Sequence, residues 1–311
     1  MMAENPNLIL PQGTRVVSRR DVERNGELVC ATGAVGVVVE SPADATHAYR
    51  VRLADGTIVA LQRGEFRILR AHKEEATGAA ENVLADYDLF EHVIYRCVVG
   101  SRAYGLSSDD SDTDLRGVYL APAELQWSLF GVPEQLEDKE NEECYWELQK
   151  FIQLALKANP NILECLYTPL VEHATPLARE LLAMREKFLS KLAYQTYNGY
   201  VLSQFRKLEQ DLRTRGEIKW KHAMHLVRML LSGVHLLKHR AVLVDVGEHR
   251  DALLAVKRGE RAWEDVNAWR LELRKQFDAA FQQTELPERP DYHAANDFLV
   301  RARRFAAGEQ S

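Results

Sequence analysis

Two short stretches of the chain hold the residue types with the most chemistry in them. An apolar run, Val93-Ile94-Tyr95-Arg96-Cys97-Val98-Val99, ends at Gly100-Ser101. After Arg102-Ala103-Tyr104-Gly105 the chain passes through Ser107 to Ser111 into Asp112-Thr113-Asp114-Leu115-Arg116-Gly117-Val118. In a strand, side chains two apart share a face, so Asp112 and Asp114 are expected side by side. Two carboxylates that close repel unless a cation lies between them, and hard oxygen donors of this kind suit Mg²⁺. Gly100 and Ser101, at the carboxyl end of the preceding strand, supply backbone N–H groups and a hydroxyl able to cradle phosphate oxygens. Arg102 and Arg116 flank the pair and read either as guanidinium partners of a phosphate chain or as surface ion pairs with Asp109 or Asp110. Tyr104 reads as core and Glu164 as structural support.

These groups need a sheet to hold them. The apolar runs predict strands over Val93–Val99 and Asp112–Leu120, then a strand from Glu142 and a helix through Leu148, Phe151, Ile152 and Ala155 that stops at Asn159-Pro160. Beyond Thr175 the period is helical, with segments 177–189, 192–212, 220–237, 250–257, 262–281 and 292–305. Upstream, residues 13–69 alternate, are rich in valine and are broken by glycines. Asp55-Gly56 between two apolar runs predicts a two-residue type I′ hairpin. The expected fold class is therefore α+β. It comprises a small SH3-like or KOW-like β-barrel over residues 1–70, a linker over 71–82, a mixed sheet with flanking helices over 83–175 and a helical domain over 176–311.

The motif in order, Gly-Ser, a spacer, then Asp-x-Asp-Leu, resembles the DNA polymerase beta superfamily of nucleotidyltransferases. The longer run Gly-Ser-Arg-Ala-Tyr-Gly, then Ser-Asp-Thr-Asp-Leu-Arg-Gly-Val-Tyr, resembles the RNA-repair branch of RlaP type. So do Lys150-Phe151, Asn159-Pro160-Asn161-Ile162-Leu163-Glu164, the segment Lys219 to His225, and Leu286-Pro287. The likeness runs from about Val83 to Phe305 and leaves the N-terminal strands outside it. It implies transfer of a nucleoside monophosphate from an NTP, ATP first among them, to an acceptor hydroxyl with two Mg²⁺ ions. Gly100 and Ser101 would hold the phosphates, and Asp112 and Asp114 the metals. A third carboxylate is implied on the next strand. Glu142 falls eight residues before Lys150-Phe151, but Glu143 on the opposite face competes with it, and Glu137 to Glu143 also reads as a solvated acidic loop.

Along the 220–237 segment, Lys221, His225, Arg228, Ser232, His235 and His239 fall on one face with no acid among them. Lys221, His225 and Arg228 are accordingly candidates for phosphate contact, against the plainer reading of an ordinary helix face.

The chain has 311 residues, with 46 acidic against 40 basic side chains and a net charge of -6, which excludes a globally basic surface for wrapping duplex DNA. RNA is the expected acceptor and must then be held locally; a protein side chain is the alternative, and a non-catalytic nucleotide-binding regulator is the rival from another class. Residues 1–70 carry nine arginines against eight carboxylates, with only Tyr49 and Phe66 as aromatic surface, a poor supply for stacking single strands. Cys30, Cys97, Cys144 and Cys165 form no paired motif, and there is no leader-like or membrane-length apolar run, so a cytoplasmic protein without membrane contact is expected. Oligomeric state is left open.

Overall fold

The computed structural model describes residues 9–42, 44, 47–76, 84, 87–108 and 111–308. The chain divides into two compact units, residues 1–86 and 87–311. Each has its own buried apolar cluster. The architecture is mixed α+β: strands first, a mixed sheet in the middle, helices at the end.

In the first unit, β1 (Arg15–Ser18), β4 (Val35–Glu40), β5 (Tyr49–Leu53), β6 (Ile58–Leu61) and β7 (Phe66–Ile68) form one antiparallel sheet in the order β6-β5-β4-β1-β7. The ladder ends in two different edge strands and does not close on itself among the described residues, so the expected barrel is found as an open five-stranded sheet. The β2–β3 hairpin (Val22–Arg24 and Glu27–Cys30) stands apart from it. The two-residue hairpin expected at Asp55-Gly56 is found instead at Asn25-Gly26. Leu53 N donates to Thr57 O at 2.8 Å and Gly56 has φ +91°, while Asp55 is not among the positive-φ residues, so that loop has three residues. The two-residue turn is Asn25-Gly26, both at positive φ, as type I′ requires. Tyr49 and Phe66 are buried and meet edge to face at 5.1 Å; they are core, not a stacking platform. The expected linker opens with a helix, Leu69–Ala76. Its remainder falls outside the described residues, and a single 3₁₀ turn, Leu89–His92, precedes the next strand.

The second unit is built on a five-stranded sheet, β10-β11-β9-β8-β12. Its strands are β8 (Val93–Val99), β9 (Asp114–Tyr119), β10 (Gln135–Asp138), β11 (Glu143–Glu147) and β12 (Val171–Ala174). β11 runs parallel to β9 and every other pair is antiparallel. Helix Leu148–Leu156 is capped by Glu147, whose carboxylate accepts from Gln149 N, and Pro160–Tyr167 by Asn159, which accepts from Asn161 N and Ile162 N with proline at the first helical position.

The C-terminal helices follow the periodicity closely: Pro176–Ala183, Leu192–Arg215, Trp220–His239, Arg250–Lys257, Trp263–Gln283 and Tyr292–Ala306. Helix 220–239 is their centre, packed by helices 192–215, 250–257 and 263–283. Its buried residues include Ala223, Met224, Leu226, Val227, Leu230, Leu231, Gly233 and Val234, which cover nearly its whole circumference. The helices and the sheet share one continuous apolar cluster. Among the described residues no helix is long and apolar enough to cross a membrane.

Gly117 marks the tightest point of the sheet. A Cβ there would lie 1.8 Å from Tyr95 O and 2.8 Å from Tyr95 C, both backbone atoms of the neighbouring strand. Gly117→Ala therefore destabilises the protein by about 3 kcal/mol, read as a lower urea midpoint, because the strand pair must part to admit the methyl group.

Candidate active site

The carboxyl end of β8 turns at Gly100, which has φ +70° and opens a short helix, Gly100–Ala103. Val99 pairs with Asp114 across the β8–β9 ladder, and a Cβ on Gly100 would fall 2.3 Å from Asp114 Oδ2. The aspartate carboxylate thus rests against a position that only glycine can occupy, for its left-handed backbone and for the space.

Asp114 is the first residue of its strand, so the expected strand begins two residues late. Asp112 precedes it on an exposed stretch, and the shared strand face expected for the pair does not form. Arg102 holds this stretch by its backbone, donating to Asp112 O at 3.3 Å and Ser111 O at 2.7 Å. Its partner is therefore the chain's own carbonyls, while Asp109 and Asp110 lie outside the described residues. Arg116 is likewise engaged. It donates to the carbonyls of Leu115 and Glu142 at 2.8 and 2.7 Å and reaches Asp114 Oδ1 at 3.3 Å.

Beside this turn lies a cavity of about 490 Å³. Six carboxylate residues line it, Asp114, Glu137, Asp138, Glu142, Glu143 and Glu164, against two cationic ones, Arg116 and Lys139. Cys144 pairs with Arg116 and Glu137 with Cys144 across the ladders, placing all three on one face. Burial pushes the Cys144 thiol pKa up, keeping it protonated beside Glu137.

Glu142 precedes β11 in a left-handed turn at φ +54°. Its carbonyl joins the ladder through Leu115 N at 3.1 Å. Among the described residues nothing hydrogen-bonds or ion-pairs its carboxylate. Glu143 accepts from the Tyr145 hydroxyl at 2.7 Å and faces Arg96 at 3.9 Å. The acidic run itself is a hairpin loop: Asp138 accepts from Glu140 N, Asn141 N and Asn141 Nδ2, which lowers its pKa.

Carboxylate oxygens converging on an anionic cavity have the chemistry Mg²⁺ requires. They are not drawn into a cluster, since no group of three or more His, Cys, Asp or Glu side chains stands at metal-holding separation among the described residues. Asp112 does not line the cavity.

The helical candidates separate. Lys221 is exposed, and His225 is half-buried. Desolvation first, then Arg228, Lys221, His222 and Lys257, lower the His225 pKa to about 4. Arg228, expected at a phosphate, is instead 5% exposed and turned into the core. Its Nη1 meets Glu164 Oε1 at 2.7 Å, and its guanidinium lies 3.6 Å from the centre of the Tyr104 ring. Ser232, from the same stripe, is fully buried. The stripe is buried at its middle, Arg228 and Ser232, and open at its ends, Lys221 and His239, because neighbouring helices enclose the centre of this one. Glu164 was legible only as support; its tie to Arg228 joins residues 64 positions apart, which no local pattern reveals. Lys150 pairs with Glu134 at 2.5 Å.

This geometry carries two expected outcomes. Gly100→Ala drives a methyl group into Asp114 and strains the turn, so it lowers stability by at least about 1 kcal/mol in urea denaturation. The unfolded His225 imidazole binds a proton below its ordinary 6.5 and the folded one only below about 4, among the cations Lys221, His222, Arg228 and Lys257. Stability from this group is therefore complete above pH 6.5 and is lost as pH falls towards 4, by about 3 kcal/mol. Urea midpoints at about pH 7 and about pH 4.5 should fall less for His225→Asn than for the wild type.

The profile of the RlaP family, described as "RNA repair pathway DNA polymerase beta family", matches residues 69–301. Over 159 residues the chain is 30% identical to the Bacillus subtilis (strain 168) protein named "Uncharacterized protein YcgL", covering 48% of this chain and 58% of that protein. The chain thus spans little more than half the length of that relative. The family match is broader, taking in the Gly100 turn, the aspartate strand and nearly all the helices packed behind them, and on that extent the chain belongs to the RNA repair pathway DNA polymerase beta family, RlaP.

Proposed function

We propose that the chain is a nucleotidyltransferase that moves a nucleoside monophosphate from an NTP, ATP first among them, to a hydroxyl of RNA. The observation that carries this reading is Asp114 seated against the positive-φ Gly100 at the mouth of a carboxylate-lined cavity. The family description supports RNA as the acceptor.

Gly100 lets the chain turn without a side chain at the end of β8, so that backbone N–H groups and the Ser101 hydroxyl can approach phosphate oxygens. Asp114 and Glu142, with Asp112 from the adjoining stretch, would hold Mg²⁺. Bound there, the ions would supply charge neutralisation on the phosphates and a more acidic acceptor hydroxyl. Arg116 orients Asp114 through its Nη2 contact. Lys221 and Lys257 lie close enough to His225 to lower its pKa, and Lys257 Nζ reaches Leu106 O at 3.5 Å on the turn downstream of Ser101. That placement supports a role for Lys221 in drawing the phosphate chain to this end of the cavity. Arg228 has no part in that set. A cytoplasmic setting belongs to the same proposal: all four cysteines are buried and free, as suits thiols in a reducing compartment.

The test is incubation with Mg²⁺ and each α-labelled NTP in the presence of total RNA and cell-extract protein. Label is expected in RNA, and Asp114→Asn should reduce it by about 100-fold or more without lowering the melting temperature, since a lost charge at the reacting phosphate costs transition-state stabilisation. Label in protein alone would replace RNA by a protein acceptor. No label, with nucleotide still bound, would replace the enzyme by a nucleotide-binding regulator.

A further inference from the structure

The turn that carries Gly100 and Ser101 is short, and its internal bonds tie those two residues to Tyr104 and Leu106. Tyr104 N donates to Gly100 O at 3.0 Å and Leu106 N donates to Ser101 O at 2.8 Å. Whatever fixes Tyr104 and Leu106 therefore fixes Gly100, which lines the cavity, and Ser101 next to it. Both are held from elsewhere in the unit. The Tyr104 hydroxyl donates to Glu164 Oε2 at 2.6 Å, and the other oxygen of that carboxylate takes Arg228 Nη1 at 2.7 Å. Arg228 closes the triangle by lying over the Tyr104 ring.

All three side chains are buried, at 8%, 2% and 5% exposure for Tyr104, Glu164 and Arg228. Burial resists the Arg228 charge, yet Glu164 and Tyr104 beside it hold its pKa above the ordinary value, and burial followed by Glu164 keeps the Tyr104 phenol protonated as a donor. The segment 244–257 takes the backbone of the same turn. Val246 N donates to Tyr104 O at 3.2 Å, Arg250 Nε to Gly105 O at 2.8 Å, and Lys257 Nζ to Leu106 O.

We propose that Tyr104, Glu164 and Arg228 are positioning residues that, with Arg250, fix the Gly100–Leu106 turn in its phosphate-receiving shape, so that nucleotide affinity at the cavity depends on the helical region. This rests on the reading that the turn receives the nucleotide phosphates. Tyr104 and Glu164 also line the cavity, so the relay reaches the place it controls.

Tyr104→Phe removes one hydroxyl and keeps the ring under Arg228; Arg250→Ala removes a half-exposed side chain. In each variant the full-length protein is read by amide hydrogen exchange and by transfer kinetics. The Tyr104 and Leu106 amides should exchange about tenfold faster, the worth of one hydrogen bond to a charged group, while amides inside helix 220–239 keep the wild-type rate. The KM for NTP should rise about tenfold with kcat within about twofold, a split that partial unfolding does not produce. Unchanged exchange at Tyr104 and Leu106 in both variants would overturn the relay, as would an unchanged KM. If the wild type transfers no nucleotide at all, the proposed activity falls, and the exchange rates alone still decide whether the relay holds the turn.

Discussion

A carboxylate and a guanidinium removed from water together are costly to bury and costlier to separate, by about 3–5 kcal/mol when one partner is lost. Glu164 and Arg228 make such a pair at 2.7 Å inside the second unit. Glu164 belongs to the helix that covers the sheet, Arg228 to the helix at the centre of the bundle. Their bond, with Tyr104 as the third member, sets how the sheet and the bundle meet. Because apolar packing alone is tolerant of small slips, a buried polar contact of fixed geometry supplies the register that the core leaves loose.

The cavity beside this contact shows a second balance of forces. Six carboxylate residues face two cationic ones, a distribution that would repel itself without counter-charge. Arg116 relieves part of it at Asp114 while its other nitrogen ties Leu115 and Glu142 by their carbonyls. The same residue therefore joins β9 to the turn ahead of β11 and steadies the aspartate at the ladder's end.

Much of the scaffold was legible from local pattern. Helices 192–215, 220–239, 250–257 and 292–306 follow apolar spacing at 3.6 residues, whereas Asn159-Pro160, readable as the end of one helix, also caps and starts the next. The alternation of Cys144 and Trp146 against Glu143, Tyr145 and Glu147 was readable too, but it did not sort the cavity lining, since Glu142 in the turn before the strand, Glu143, Cys144 and Trp146 all line it. Hairpin type was not legible at Asp55-Gly56 and Asn25-Gly26, because both dipeptides favour positive φ and loop length is set by the strand register that the turn serves.

By itself the sequence determined the family, the order of the elements and the presence of a glycine and an aspartate at the ends of adjacent strands, because these depend on residue type and on spacings of a few positions. Only the tertiary structure decided the environment of each charged group. It turned Arg228 from a candidate phosphate ligand into the buried partner of Glu164, gave Arg102 and Arg116 to backbone carbonyls, and left Asp112 outside the strand that Asp114 opens. The physical reason is that burial and pairing depend on side chains brought together from residues tens of positions apart, and helical periodicity cannot tell a polar stripe facing water from one enclosed by three other helices.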